Sequence, residues 1–530
     1  MISNKLNIWG PGQILAFSGL DGSTDYNNGL VLRTAFEWIG FEVKLPDKGG
    51  SIRIKNFKKD TENFILTGDF FQFGKTQGVF IDAWHILIEG EIQVKIGKSL
   101  EILCANDKIL IGLKKRFRPE LLTQEIDEAI SERFEKLKNM PFPSRLTESS
   151  DKTLWKAYSQ LCTQFCSPEG NIKHLWTTPD RWPHRKMWLW DSVFHAAGIR
   201  HVNINNAREV LTAMLECIDK DGCIPHMAGP FEKSKITQPP ILALGAKLIE
   251  DIAPDMDWLK KYYPKLKSYI LWDMHHRDSD NSGLVEWFIE ADENCRCGES
   301  GMDNSPRFDM ATQLKATDFN SFLSHECEIL SEFADKLGLR DDAAMWKKEH
   351  KRLNKLINEK LWNKDERFYF DLDVISGTQT DIMASSGFFP LICGAASQEQ
   401  AESLAAHLEN PATFKTAFPV PSIAVSSDKF YSKDMWRGPV WINVNWLIIK
   451  GLQRYELNEA AAKLRKKTIE EIEKQYLKYG TFFEFYDDRC EVDPPKLLRK
   501  SLNKPNTFNQ VFHDYGWTAT LYIDFVFEMA

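Results

Sequence analysis

A change of period near Leu146 constrains this chain more than any other feature. Up to about Phe117, apolar residues come in short runs broken by Gly, Asn and Asp; after Leu146 they recur three and four apart almost to the end. Alternation buries one face of a strand, and a three-four spacing buries one stripe of a helix, so the two stretches need different architectures. The first carries Ile52-Arg-Ile-Lys, Asn63-Phe-Ile-Leu-Thr, the run from Val79 to Gly90, and strand-like text at Lys95 to Leu103 and Lys108 to Leu113. Short β-branched and aromatic strands between turn residues predict a β-sandwich over residues 1–118. Charge-rich text from Glu120 to Lys138, closed by Met140-Pro-Phe-Pro-Ser, predicts a helical linker over residues 119–145.

Within residues 146–530 the spacing predicts helices at 152–165, 206–218, 236–250, 258–272, 319–337, 341–361, 398–407, 439–452, 457–477 and 512–527. That succession, joined by aromatic loops, predicts a mainly α fold: an α/α barrel of paired helices closing around a polar mouth. Helix count and length alone would also suit a long bundle or a solenoid.

Composition narrows the function. An apolar content of 43% supplies a large core, and a net charge of −8 with intermixed signs offers no basic face for a nucleic acid. No run approaches the roughly 18 apolar residues of a membrane span, and the start, Met1 to Gly10, lacks an apolar signal core, so a cytoplasmic enzyme is expected. The 10 cysteines are scattered, several in helical text (Cys162, Cys166, Cys217, Cys393), which predicts reduced thiols. The sequence sets no oligomeric state.

Two acids stand out by context. Asp303 lies in Glu299-Ser-Gly301-Met-Asp303-Asn304, where Gly301 and Pro306 hold the backbone off a helix. Glu484 lies in Phe482-Phe-Glu-Phe-Tyr-Asp487, among aromatics that exclude water. The chain also holds 17 Trp, whose flat faces suit the C–H surfaces of sugars. Isolated carboxylates beside indoles are what glycoside hydrolysis needs: one acid protonates the leaving oxygen, and the other serves water or the anomeric carbon. A third cluster, Met187-Trp188-Leu-Trp190-Asp191, reads either as a helix start capped by Asp191 or as a sugar platform with a hydroxyl acceptor.

Further blocks follow in order: Ile224-Pro-His226-Met, Thr237-Gln238-Pro-Pro, Met435-Trp436-Arg437-Gly-Pro-Val-Trp441-Ile-Asn-Val-Asn445, and Tyr515-Gly-Trp517-Thr. Together, from Trp188 to Trp517, they resemble glycoside hydrolase family 63 and its trehalase-like relatives. The resemblance implies an (α/α)6 barrel with an added β-domain, hydrolysing α-glucosidic or α-mannosidic bonds with inversion and with no cofactor. It implies Asp303 as general acid and Glu484 as general base. Trp188, Trp190, Asp191, His226, Gln238, Gly301, Asn304, Trp436, Arg437, Trp441 and Trp517 are then the expected substrate contacts. One departure is Gly298, where family members often carry Trp; it bears on which sugar is bound. The implied substrate is a small carbohydrate: a glucosylglycerate- or mannosylglycerate-like glycoside, an α-glucosyl disaccharide or an oligosaccharide end. A non-catalytic sugar-binding protein would not need both acids, and a phosphorylase would need a basic phosphate pocket, for which only Arg437 offers itself.

Other signals are weaker. Asp278-Ser-Asp280-Asn-Ser282-Gly283 begins like a calcium loop but has Ile289 at the twelfth position. Cys295 and Cys297 lack a partner pair at zinc spacing, so no metal site is expected.

Overall fold

The computed structural model describes residues 5–529 apart from 9, 36–41, 46–47, 55–63, 293 and 502–510. Two antiparallel sheets occupy the N-terminal part. One runs in the order Ile14–Ala16, Val31–Thr34, Glu42–Lys44, Gly50–Ile54, Ile92–Ile96. The other runs Leu100–Ala105, Lys108–Leu113, His85–Glu89, Thr76–Asp82, Phe70–Phe73, Phe64–Leu66. Asn63, at the head of one predicted strand, lies outside the described residues. Leu15, Leu32 and Ile52 from the first sheet share a core with Phe71, Phe80, Ile88 and Ile111 from the second. The run from Val79 to Gly90 is divided between two paired strands, because Asp82 accepts the Trp84 N–H at 2.7 Å and turns the chain. The text from Lys95 to Leu103 likewise splits, one part in each sheet.

Helix α1 (Ile126–Lys138) is no free connector. Its Ile126 and Ile130 pack with Phe70, Val79, Leu87 and Leu110 of the second sheet. The remaining helices are α2 (Glu148–Gln164), α3 (Leu189–Val202), α4 (Ile204–Leu215), α5 (Leu242–Glu250), α6 (Met256–His276), α7 (Thr317–Lys336) and α8 (Arg340–Lys360). They continue with α9 (Gln398–Leu408), α10 (Ile442–Arg454), α11 (Asn458–Tyr479) and α12 (Gly516–Phe527). Three predicted helices begin late. Residues 236–241 stay extended because Pro239 and Pro240 deny α5 an earlier start. Residues 439–441 stay out of α10, and residues 512–515 bend through Asp514 at φ 57° before α12. Each unwound stretch runs toward the site described below.

The helix contacts close on themselves. α3 touches α5, α5 touches α7, and α7 touches a 3-10 turn at Ser385–Leu391. That turn touches α10, which touches α12, which returns to α3. Outside this circuit α4 lies on α3, α8 on α7, α11 on α10 and α2 on α12. The turn at Ser385–Leu391 takes a place in the circuit that the helical period did not reveal, since Gly387 and Pro390 break it while Phe388 and Phe389 are buried. Among the described residues no helix is long and apolar enough to cross a membrane.

Candidate active site

The acid motif is a loop held from both ends. At its start the buried Glu299 carboxylate accepts from Arg277 Nε at 3.0 Å, Phe288 N at 3.1 Å and Thr237 N at 3.4 Å. Saturated in this way, it is a brace and not a reacting group. At its end Arg307 is fully buried between the carboxylates of Asp318 and Asp371, at 2.6–3.1 Å. Gly301 has φ 68°, and a Cβ there would stand 2.3 Å from the Trp190 ring, so the loop can lie against the indole only without a side chain. Asn304 Oδ1 accepts the Trp436 N–H at 3.0 Å, and its Nδ2 donates to Asp434 Oδ1 at 3.1 Å. Asp303 is left with 17% of its side chain exposed, in an ion pair with Lys500.

Glu484 is 1% exposed and sits where Val440 bridges Tyr486 and Phe483 bridges His513. Its backbone N–H donates to Phe512 O at 3.0 Å. Its carboxylate accepts from Arg499 Nε at 2.8 and 3.2 Å, and that guanidinium lies 4.3 Å over the Phe512 ring. The aromatic neighbours do exclude water, and a cation 15 residues further along the chain supplies the counter-charge.

Asp191 occupies the first turn of α3 but does not cap it; the N-cap position is Trp188, and no side chain caps the helix. The Asp191 side chain is buried and its Oδ1 has no hydrogen-bond partner. Burial first, and the Glu484 charge second, push its pKa well above the usual carboxylate range. Both causes disfavour the charged form of the group that the sequence offered as a hydroxyl acceptor.

These pieces face one cavity. Asp303, Glu484, Asp191, Trp190 and Gly301 line it together, with Trp188, Gln238, Trp441 and Trp517 on the remaining wall. Gln238 Oε1 accepts the Trp190 N–H at 3.3 Å, and the Trp517 indole N–H donates to Glu484 O at 3.3 Å. The open space is 60 Å³. Larger cavities of 320 Å³ near Arg133 and 280 Å³ beside α11 have no aromatic side chain in their lining.

Four expected contacts stand outside this lining. Trp436 stacks behind Trp441, with ring centroids 3.8 Å apart and planes 1° from parallel. Asn304 is the staple just described. His226 is held by Ser234 Oγ at 2.6 Å, and its burial pushes the imidazole pKa down to about 4. Arg437 is paired with Asp309, so it provides no phosphate pocket here.

Conversely, the cavity includes residues that the motifs did not mark. His184 lines it, with Nδ1 2.8 Å from the buried Asp180 carboxylate and its ring edge-on to Trp188 and Phe512. Arg499 lines it too, as do Met435 and Tyr515, which open two of the blocks quoted above. Arg499 and Lys500 sit in Lys-Leu-Leu-Arg-Lys, a run that reads as solvated surface.

The calcium-like loop is filled by an ammonium. Lys315 Nζ donates to Asp280 Oδ1 at 2.7 Å, Leu284 O at 2.9 Å and Glu286 Oε1 at 3.0 Å. All ten cysteines are free thiols, and no cluster of metal-ligating side chains occurs among the described residues.

Residues 184–491 match the family described as the mannosylglycerate hydrolase MGH1-like glycoside hydrolase domain, more than half of the chain. The chain belongs to glycoside hydrolase family 63. Among relatives of this family 63 enzyme is the mannosylglycerate hydrolase of Thermus thermophilus, 26% identical over 401 residues that span 60% of this chain and 92% of the relative. Another is the glucosylglycerate hydrolase of Mycolicibacterium hassiacum, 23% identical over 430 residues, 60% of this chain and 90% of the relative. The crystal structure of the GH63 mannosylglycerate hydrolase from Thermus thermophilus in complex with glucose superposes with a TM-score of 0.57 at 25% identity, covering 70% of this chain and 98% of that one. Neutral trehalase from Saccharomyces cerevisiae shares the fold at 17% identity and a TM-score of 0.52, over 73% of this chain and 81% of that one. The family 63 chain is thus an O-glycosyl hydrolase.

Proposed function

We propose that this enzyme inverts an α-glucosidic or α-mannosidic bond in a small glycoside, with glucosylglycerate and mannosylglycerate as the leading substrates. Asp303 acts as general acid and Glu484 as general base. The observation that carries the reading is that both carboxylates face one cavity beside Trp190 and Asp191. The names of the two hydrolase relatives support the glycerate aglycone. The circuit of α3, α5, α7, the 385–391 turn, α10 and α12 supports an (α/α)6 barrel as the catalytic domain from about residue 146. The sheets and α1 then form the preceding β-domain and its connector.

In this mechanism Trp190 and Trp441 hold the apolar face of the sugar while Asp191 and Gln238 meet its hydroxyls. Arg499 holds the Glu484 carboxylate in place for the water it would activate. The proton of Asp303 goes to the glycosidic oxygen as its bond to the anomeric carbon breaks, and water adds from the opposite face. Asp303→Asn and Glu484→Gln should each lower kcat by about 10²–10⁴-fold with the fold intact. Proton NMR of the first sugar released should show the β-anomer. An α-anomer would overturn inversion, and near wild-type turnover in either variant would remove that residue from the mechanism.

A further inference from the structure

The two candidate catalytic carboxylates are paired with consecutive residues, Arg499 on Glu484 and Lys500 on Asp303. The pairings have opposite consequences. A neighbouring cation favours the ionised form of a carboxylate, which suits a base and opposes an acid. Lys500 is itself a firm cation. Its burial works against the charge, but Asp303 outweighs that and raises the ammonium pKa above its ordinary value. As long as Lys500 stays where it is, the residue assigned as proton donor is held by the wrong partner.

The backbone around Lys500 is fixed. Its N–H donates to Asp434 Oδ1 at 2.7 Å, while the Ser501 N–H and hydroxyl donate to Asp434 Oδ2, both at 2.9 Å. Asp434 is also the carboxylate that Asn304, next to Asp303, donates to. The anchor therefore joins the Lys500 backbone to the acid loop, and the part free to change partner is the flexible side chain. A general acid stands beside the leaving oxygen, so a cation bonded to Asp303 stands where the leaving group must come.

We propose that Lys500 selects the leaving group: an anionic substituent on the aglycone takes the ammonium from Asp303 as substrate binds, and Asp303 then carries a solvent proton for the glycosidic oxygen. This rests on the assignment of Asp303 as the acid. The step balances. Asp303 gains a proton from solvent and gives it to the departing alkoxide. Water forms the new C–O bond, its proton goes to Glu484, and Glu484 returns a proton to solvent. One water is consumed overall. An anionic aglycone is in this way both a ligand and the trigger of the acid, while a neutral aglycone leaves Lys500 on Asp303.

The test compares glucosylglycerate and mannosylglycerate with glucosylglycerol and mannosylglycerol, in which a hydroxymethyl group replaces the carboxylate. For the sugar that is turned over, wild type should prefer the glycerate by at least about 10-fold in kcat/KM, the size of a charge-assisted hydrogen bond. Lys500→Gln should cut kcat/KM on the glycerate by about 10- to 100-fold and raise kcat on the neutral glycoside, which erases the preference. It should also move the alkaline limb of the pH–rate profile for the neutral glycoside upward. Lys500→Arg, which keeps the charge, should retain the preference. A loss shared equally by both substrates in Lys500→Gln, or a preference that survives it, overturns the proposal. Asp303→Asn separates the two levels. If that variant still hydrolyses both substrates, the acid assignment falls and this inference with it. If it is inactive while Lys500→Gln keeps the preference, only the role of Lys500 falls.

Discussion

At Asp191, burial and position act on one carboxyl group. It sits in the first turn of α3 among indoles, with Oδ1 unpaired, and burial first and the Glu484 charge second push its pKa up. An unpaired buried polar atom facing a cavity is costly until a ligand satisfies it. Asp191→Ala should therefore lower kcat/KM by more than about 10-fold, roughly 1.4 kcal/mol, with little loss of thermal stability. The helix-cap reading predicts the reverse, a loss of about 1 kcal/mol in stability with catalysis intact. A variant that melts early yet works at full rate would sink the sugar contact. Asp303, Glu484, Trp190 and Asp191 were legible because their motifs are local: Gly, Pro and aromatics within a few residues announce a loop with an isolated acid. Arg499 and Lys500 were not, since their meaning lies in Glu484 and Asp303, which only the fold brings to them. Trp436 and Asn304, expected as substrate contacts, stand behind the cavity wall, as a stacking partner and a staple.

At the scale of elements, the unusual joint is between α7 and α5. Glu326 of α7 is buried and accepts the Ala243 and Leu244 N–H groups at 2.7 and 2.8 Å, filling the open N-terminus of the neighbouring helix. Burial pushes its pKa up to about 8, against those two bonds. The sign follows from linkage. Below the ordinary pKa of about 4.5 both folded and unfolded forms hold the proton, so nothing is lost. Between there and about 8 the unfolded chain releases a proton that the folded chain keeps, so stability falls as pH rises and levels off above the folded pKa. Melting temperature measured from pH 4.5 to 8.5 should fall less steeply in Glu326→Gln than in wild type, so the variant should gain on wild type as pH rises. Parallel curves would exclude this group. Period found most helices because each buries one stripe, but it ran past the true starts of α5, α10 and α12. There apolar residues belong to extended segments that enter the site, and Pro239 and Pro240 were the only local warning. The 385–391 turn escaped because it is buried on all sides and too short to show a period.

Across the whole molecule, one buried ion pair ties the sheets to the chemistry. Asp514 accepts the Ile14 N–H of the first sheet at 3.0 Å and pairs with Lys156 of α2 at 2.6 Å. It also accepts the Thr481 hydroxyl at 3.3 Å, just before the Glu484 segment, and it precedes Tyr515 and Trp517 in the cavity wall. Both side chains of the pair are nearly without exposure, at 3% and 1%. Removing one partner of such a pair strands the other charge, at a cost of about 3–5 kcal/mol, whereas removing both avoids that penalty. Asp514→Asn should accordingly lower the midpoint of thermal inactivation sharply. Adding Lys156→Met should recover part of that loss, so the two changes are strongly non-additive. Because the same carboxylate aligns the 511–517 segment behind Glu484, kcat should stay depressed in the double variant at temperatures where it is fully folded. Additive losses in stability would show that the pair is not coupled. Wild-type kcat in the double variant would show that the sheets brace the fold without reaching the site.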